Sequence, residues 1–235
     1  MAIATEKDLG GRMNTFQPGL IIEVTGACNR ACAGCYAPNV VAKDASEVFE
    51  KRPELFLKSE ALNNALIEIT SSVGIVSIRG GEPTLHPEIV TLLKTAASRA
   101  ENVFLETHGR WLMEENYIPY TGLLNAIIDN GIIVKISFDK MHGLKADELQ
   151  RIVQFLNWND VDYRIAITEP TLADYMATRS LCSFVKDEKI FYQAKARTAS
   201  ELVKPTIGTI NVRGELKTTL THKFDVTQEL SVAYA

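Results

Sequence analysis

The sequence has no excess of basic residues. Its 25 Lys and Arg against 29 Asp and Glu leave a formal charge of −4 with the histidines neutral. A sequence-independent hold on nucleic acid needs a positive surface, so nucleic acid is not an expected partner. Long apolar runs are missing too. Runs such as Gly19 to Ile22 and Ile132 to Val134 fall far short of the ~20 residues of a membrane span, so no membrane partner is expected. The opening MAIATEKDLGGRMN holds neither an apolar segment nor a small-residue cleavage site, and the expected location is the cytoplasm. Internal repeats and low-complexity tracts are absent. Cysteine is scarce, with four residues, but three of them crowd between Cys28 and Cys35 while Cys182 stands far away. Clustered thiols without a secretion signal read as metal ligands or catalysts before disulfides.

What is present is an ordinary globular composition, 46% hydrophobic over 235 residues, enough chain to bury a core. Strand-like and helix-like segments alternate. Leu20 to Thr25, Ile75 to Arg79, Val103 to Thr107, Ile132 to Phe138, Tyr163 to Thr168 and Lys189 to Gln193 read as strands. Between them, Leu62, Ala65, Leu66 and Ile69 share a helical face behind a Ser59 cap, and Ile89, Leu92, Leu93 and Ala96 share one behind Pro87. Leu123 to Asp129 stops at Gly131; further helices cover Ala146 to Asn157 and Leu172 to Ser183. Such alternation predicts an α/β fold with a parallel sheet of six βα units, either doubly wound or an incomplete barrel. Ile207 to Val212 and Glu215 to Leu220, joined by Arg213-Gly214, predict a C-terminal β-hairpin. The expected organisation is an N-terminal extension (1–19), a core (20–200) and a tail (201–235) that is no independent domain.

Cys28-Asn-Arg-Ala-Cys32-Ala-Gly-Cys35 has the spacing C-x3-C-x2-C and follows the first strand. In parallel α/β folds that end of the sheet is where ligands sit. A structural zinc site wants four closed ligands, usually as two separated pairs, and no second pair exists here. A 4Fe–4S cluster is normally held by four cysteine thiolates, so three would leave one iron open to substrate. A tight turn of small buried residues without metal is the alternative. Gly80-Gly81-Glu82-Pro83 follows the second strand. Two glycines allow close backbone approach to a ligand, and Glu82 adds a carboxylate for a cationic amine.

Together, CNRACAGC at Cys28 to Cys35 and GGEP at Gly80 to Pro83 resemble the motifs of radical S-adenosylmethionine (radical SAM) enzymes, over roughly Leu20 to Ala199. The resemblance implies a partial (β/α)6 TIM-like barrel with the short C-terminal hairpin appended. It implies that Cys28, Cys32 and Cys35 ligate three irons of a 4Fe–4S cluster and that the open iron chelates the amine and carboxylate of SAM. It implies that Gly80, Gly81 and Glu82 bind the methionine amine. His108, in Thr107-His108-Gly109, stands where the family often has asparagine. Ser137 and Asp139 resemble a serine and aspartate near the ribose, and Thr168 or Glu169 lie where the adenosine is supported. The aromatic residue that usually precedes the third cysteine is Gly34 here, and Tyr36 is the substitute adenine contact. The implied chemistry is reductive cleavage of SAM to a 5′-deoxyadenosyl radical that takes hydrogen from a small-molecule, nucleoside or peptide substrate, with electrons from a reductant such as flavodoxin or ferredoxin. An activase acting on a glycyl-radical enzyme is one alternative, and a non-catalytic zinc-stabilised module another.

Asp139, Lys140 and His142 read as solvated loop charges, as do Lys195 and Arg197. Cys182 reads as a small buried hydrophobe, His86 as a cap or loop residue, and Trp111 and Trp158 as packing. Arg79 either faces SAM or pairs with an acid. Ala37 to Lys58 is long enough for a lid, or for a short helix on the barrel edge.

Overall fold

A computed structural model describes residues 19–32, 35, 40–41, 45–69, 73–113, 120–194 and 208–218. Among these residues there are ten strands: β1 (Leu20–Thr25), β2 (Ala27–Cys28), β3 (Val40–Val41), β4 (Val73–Gly80), β5 (Ala100–Thr107), β6 (Ile133–Ser137), β7 (Tyr163–Glu169), β8 (Ile190–Ala194), β9 (Gly208–Ile210) and β10 (Leu216–Thr218). Six helices accompany them: α1 (Ala45–Lys51), α2 (Ser59–Ile67), α3 (Ile89–Ala97), α4 (Tyr120–Asp129), α5 (Ala146–Trp158) and α6 (Leu172–Leu181).

The main sheet runs β10-β9-β1-β4-β5-β6-β7-β8. Every neighbouring pair from β9 to β8 is parallel, and only β10 runs antiparallel. The six predicted βα units are β1 and β4 to β8, in chain order across the sheet. The predicted hairpin is β9–β10, seated on the outer edge of β1, where Leu20 pairs with Gly208. Its turn is built by Asn211: the side-chain oxygen accepts the Arg213 and Glu215 amides at 3.0 and 3.1 Å, and Gly214 takes φ 79°. The two edge strands, β8 and β10, do not pair, so the barrel is open.

Period-2 alternation sends one set of strand residues toward the helices. Leu20, Ile22, Val24, Val76, Ile78, Val103, Leu105, Val134, Ile136, Ile165 and Ile167 form one core with Leu62, Leu66, Leu92, Leu93, Leu123, Ile127, Leu149 and Ile152. The apolar spacing read for α2 and α3 is the face that packs there, and Leu149, Ile152, Val153 and Leu156 make the equivalent face of α5. Two cap predictions shift. Ser59 is already helical and its amide donates to Glu88 Oε2 at 3.2 Å, while α3 starts at Ile89 rather than at Pro87. Gly131 ends α4 with φ 59°, as expected of a glycine past a helix end. Cys182 is fully buried in the core, and Trp111 is buried with its Nε1–H donating to Thr107 Oγ1 at 3.1 Å. Trp158, expected to pack, is 90% exposed at the last residue of α5. Among the described residues, no helix is long and apolar enough to cross a membrane.

The described part of the 37–58 segment packs on the barrel edge. Leu55 and Phe56 join Ala27, Val48 and Phe49 in a second apolar cluster, and the backbone of 55–57 hydrogen-bonds to Val24 and Gly26 beside the cysteine loop.

Candidate functional site

β1 and β4 carry the cysteine loop and the double-glycine loop at the same end of the sheet. The register slips by one residue between Glu23 and Thr25, so that Thr25 pairs with Gly80. A slip of this kind turns the chain locally, and β2 then leads straight into Cys28. The two loops are stitched together there. Gly81 N–H donates to Thr25 O at 2.7 Å and Glu82 N–H to Ala27 O at 2.9 Å. A Cβ on Gly80 would stand 2.4 Å from Thr25 O. One on Gly81 would stand 2.2 Å from Ala27 O and 3.0 Å from Cys28 Cβ. The glycines are needed because backbone lies against backbone, not merely because the loop turns.

Cys28 is buried, Cys32 and Cys35 are half-buried, and Cys35 N–H donates to Cys32 O at 3.2 Å. Burial pushes the Cys28 thiol up to about 12, with smaller contributions from Glu82, Cys32 and Cys35. An uncomplexed Cys28 therefore stays protonated at neutral pH, and a bound cation would be needed to hold the thiolate. Among the described residues, no three Cys, His, Asp or Glu side chains are gathered for a single metal ion. Three thiols on one loop are one short of the four ligands a closed zinc site takes, and match the number that would hold a 4Fe–4S cluster with one iron left open.

Glu82 is a hub. It is 1% exposed, and each of its oxygens has at least two donors nearby. Oε1 accepts from Thr84 N–H (3.2 Å), Thr84 Oγ1 (2.7 Å) and Thr107 Oγ1 (2.8 Å); Oε2 accepts from His108 N–H (3.1 Å) and lies 3.3 Å from His108 Nε2. The carboxylate expected to meet a ligand amine is thus committed to tying the β4 loop to the β5 loop. His108 Nδ1 accepts Arg110 N–H at 3.1 Å, so its proton sits on Nε2, which also faces Asn29 Oδ1 at 2.9 Å. Burial lowers the His108 pKa, opposed by Glu82 and assisted by Arg30, His142 and Arg110, and this lowering favours the neutral ring. One neutral imidazole therefore joins the cysteine loop, the double-glycine loop and the end of β5.

The other predicted residues are distributed along the same rim. Ser137 ends β6 and Thr168 sits near the end of β7, both half-buried on the face away from the helices. Asp139 is 3% exposed and holds His142, so the two are not solvated loop charges; Lys140 is exposed and pairs with Asp174 at 2.8 Å. Glu169 accepts Thr178 Oγ1 and Lys140 N–H at 2.8 and 3.2 Å, fixing α6 and the β6 turn. Arg79 pairs with Glu23 at 3.1 Å. Tyr36, Gly34, Lys195 and Arg197 lie outside the described residues.

The inner face also carries a charged row that strand-by-strand reading did not single out. Glu106 on β5 lies 3.2 Å from Lys135 on β6, which is 2% exposed, and accepts a hydrogen bond from Ser77 on β4. Burial alone would raise the Glu106 carboxyl, but Lys135 and Arg79 hold it below its ordinary value. The signal was a single charge in each of two strand segments with apolar neighbours, Glu106 after Val103-Phe104-Leu105 and Lys135 within Ile133–Ser137.

No curated protein matches the sequence. The chain is similar in fold to anSMEcpe with bound AdoMet, at 14% identity and TM-score 0.51, over 92% of this chain and 57% of that one. It is likewise similar to Streptococcus suis SuiB bound to S-adenosylmethionine, at 16% identity and TM-score 0.51, over 79% and 40%. It therefore spans about half the length of these solved structures. The family model described as the radical SAM superfamily matches residues 22–142, more than half of the sequence and the part that holds both stitched loops, His108 and the Asp139 turn. The chain belongs to the radical SAM superfamily, whose enzymes work with a 4Fe–4S cluster and S-adenosylmethionine.

Proposed function

We propose that this protein cleaves SAM reductively and uses the resulting radical on a polar small-molecule, nucleoside or peptide substrate held at the rim of the open barrel. When bound, the cluster and SAM supply the one-electron chemistry, a 5′-deoxyadenosyl radical that abstracts a hydrogen atom. The chain's own residues hold, orient and shield. Cys28, Cys32 and Cys35 would carry the cluster. The backbone of Gly80 and Gly81 would receive the methionine amine, with Glu82 shaping that loop. His108, Ser137, Thr168 and Tyr36 would line the nucleoside side, and Asp139 would contribute through His142. The reading takes 20–200 as the catalytic core, with 1–19 and 201–235 as appendages. It also takes a flavodoxin- or ferredoxin-type reductant and a cytoplasmic setting.

The observation that carries the proposal is the pair of backbone hydrogen bonds from Gly81 and Glu82 to Thr25 and Ala27. They make the cysteine loop and the amine-receiving loop one rigid frame, as binding a single ligand across both requires. The test is anaerobic reconstitution with iron and sulfide, then reduction in the presence of SAM. About four irons per chain and release of 5′-deoxyadenosine, both lost in the Cys28→Ala, Cys32→Ala, Cys35→Ala triple variant, are expected. A colourless zinc protein, or a cluster that never cleaves SAM, would overturn the proposal.

A further inference from the structure

The turn after β6 carries a side-chain pair with its own logic. Both carboxylate oxygens of Asp139 face Nδ1 of His142, at 2.8 and 2.9 Å, and Asp139 Oδ1 also accepts the His142 amide at 2.8 Å. The turn is closed by Gly143 N–H donating to Asp139 O at 3.2 Å, with Gly143 at φ 58°. A ring nitrogen facing two carboxylate oxygens carries the hydrogen, so in the neutral ring Nε2 is the bare acceptor. His86 and His108 have both ring nitrogens engaged and are buried. His142 is 21% exposed at its side chain, and its Nε2 meets no protein partner among the described residues.

The pair sits against the cofactor loops. Arg110 Nη2, from the loop after β5, donates to Gly143 O at 2.8 Å. Arg30 Nη2, from between Cys28 and Cys32, lies 3.5 Å from where a Gly143 Cβ would stand. The charged and titratable groups around this turn are Asp139 within it, Arg30 of the cysteine loop and Arg110 beside Gly143, and His108 after β5, whose electrostatic field includes His142. Glu148 of α5 pairs with Arg110 at 3.3 Å.

We propose that His142 Nε2 is a substrate-facing acceptor, taking a hydrogen bond and, when the reaction requires it, the proton of a hydroxyl or amine on the substrate. Asp139 is the positioning residue that fixes the tautomer and stabilises the imidazolium so formed. The proton leaves the substrate oxygen or nitrogen for Nε2 and passes to solvent along the exposed ring edge. The substrate class is a molecule with an ionisable or hydrogen-bonding O–H or N–H next to the carbon that loses hydrogen. This rests on the site reading above.

The experiment is carbethoxylation of the reconstituted protein with diethyl pyrocarbonate, read histidine by histidine by mass spectrometry, with and without SAM. His142 should label about tenfold faster than His86 or His108, which react only through local opening, and saturating SAM should slow it about tenfold. Nitrogen-15 NMR should show a protonated Nδ1 and a bare Nε2. Asp139→Asn should move the proton toward Nε2 and slow labelling, and Asp139→Glu should retain the native tautomer; protection of His86 reports that either variant is folded. An unreactive His142, labelling that ignores SAM, or a tautomer indifferent to Asp139→Asn overturns the proposal. Release of 5′-deoxyadenosine by the same wild-type preparation separates the outcomes: if it is absent, the site reading fails, and if it is present with a SAM-insensitive His142, only the role of the dyad fails.

Discussion

The two faces of the sheet are built on opposite terms. Toward the helices the strands present mostly Leu, Ile and Val packed against Leu and Ile. Toward the inner face the same strands present Glu23 with Arg79 and Glu106 with Lys135, ion pairs taken largely out of water. A hydrophobic isostere is often as stable as a buried pair or more so. The helix-side face therefore contributes most to the stability of the fold, and the inner face gives some stability up to keep charged groups in place.

That contrast can be broken, starting from the inner face. Lys135→Met should destabilise by about 3 kcal/mol because it leaves the half-buried Glu106 without its main partner, read as a lowered urea midpoint. The double variant Lys135→Met, Glu106→Leu should recover most of the loss, and failure to recover would mean that the pair is integral to stability after all. On the helix side, Leu105→Ala should cost about 3 kcal/mol through its cavity, with no second substitution of that kind able to restore it.

A third effect is pH-dependent. Burial lowers the His86 pKa to about 4, with opposing contributions from Leu57 O and Glu88. His86 Nε2–H donates to Leu57 O at 2.9 Å while Nδ1 accepts Glu88 N–H at 3.0 Å, so protonation breaks a native hydrogen bond. The folded-state pKa is below that of the unfolded chain, so the contribution is fully present above pH 6.5 and is lost as pH falls toward 4. The loss should be about 3 kcal/mol, and the acid limb of the urea midpoint should flatten in His86→Gln. The smallest effect belongs to Trp158→Ala, which should lie within about 0.5 kcal/mol of wild type because the ring is outside the core.

Much of this was legible. The strand alternation, the cysteine spacing, the double glycine and the Arg213-Gly214 turn are local patterns, and local patterns survive in sequence. Glu82 was legible as a carboxylate on the double-glycine loop but not as a saturated hub, since Thr107 and His108 stand 25 and 26 residues away. Glu106–Lys135 was hidden for the same reason: the two meet across neighbouring parallel strands through a crossover. Trp158 was misread because an aromatic at a helix end has the composition of a core residue without being on the core stripe. The Asp139–His142 pair, only three residues apart, was there to be found. A short polar side chain bonding its own turn is a local signal, passed over because charges in loops are usually solvated.

The Gly81 and Glu82 amides both end on carbonyls of the cysteine strand. Neither loop can be released to solvent alone. Deuterium should therefore enter both amides at the same slow rate, in one shared opening rather than two, and the two loops will be gained or lost as a single cooperative unit.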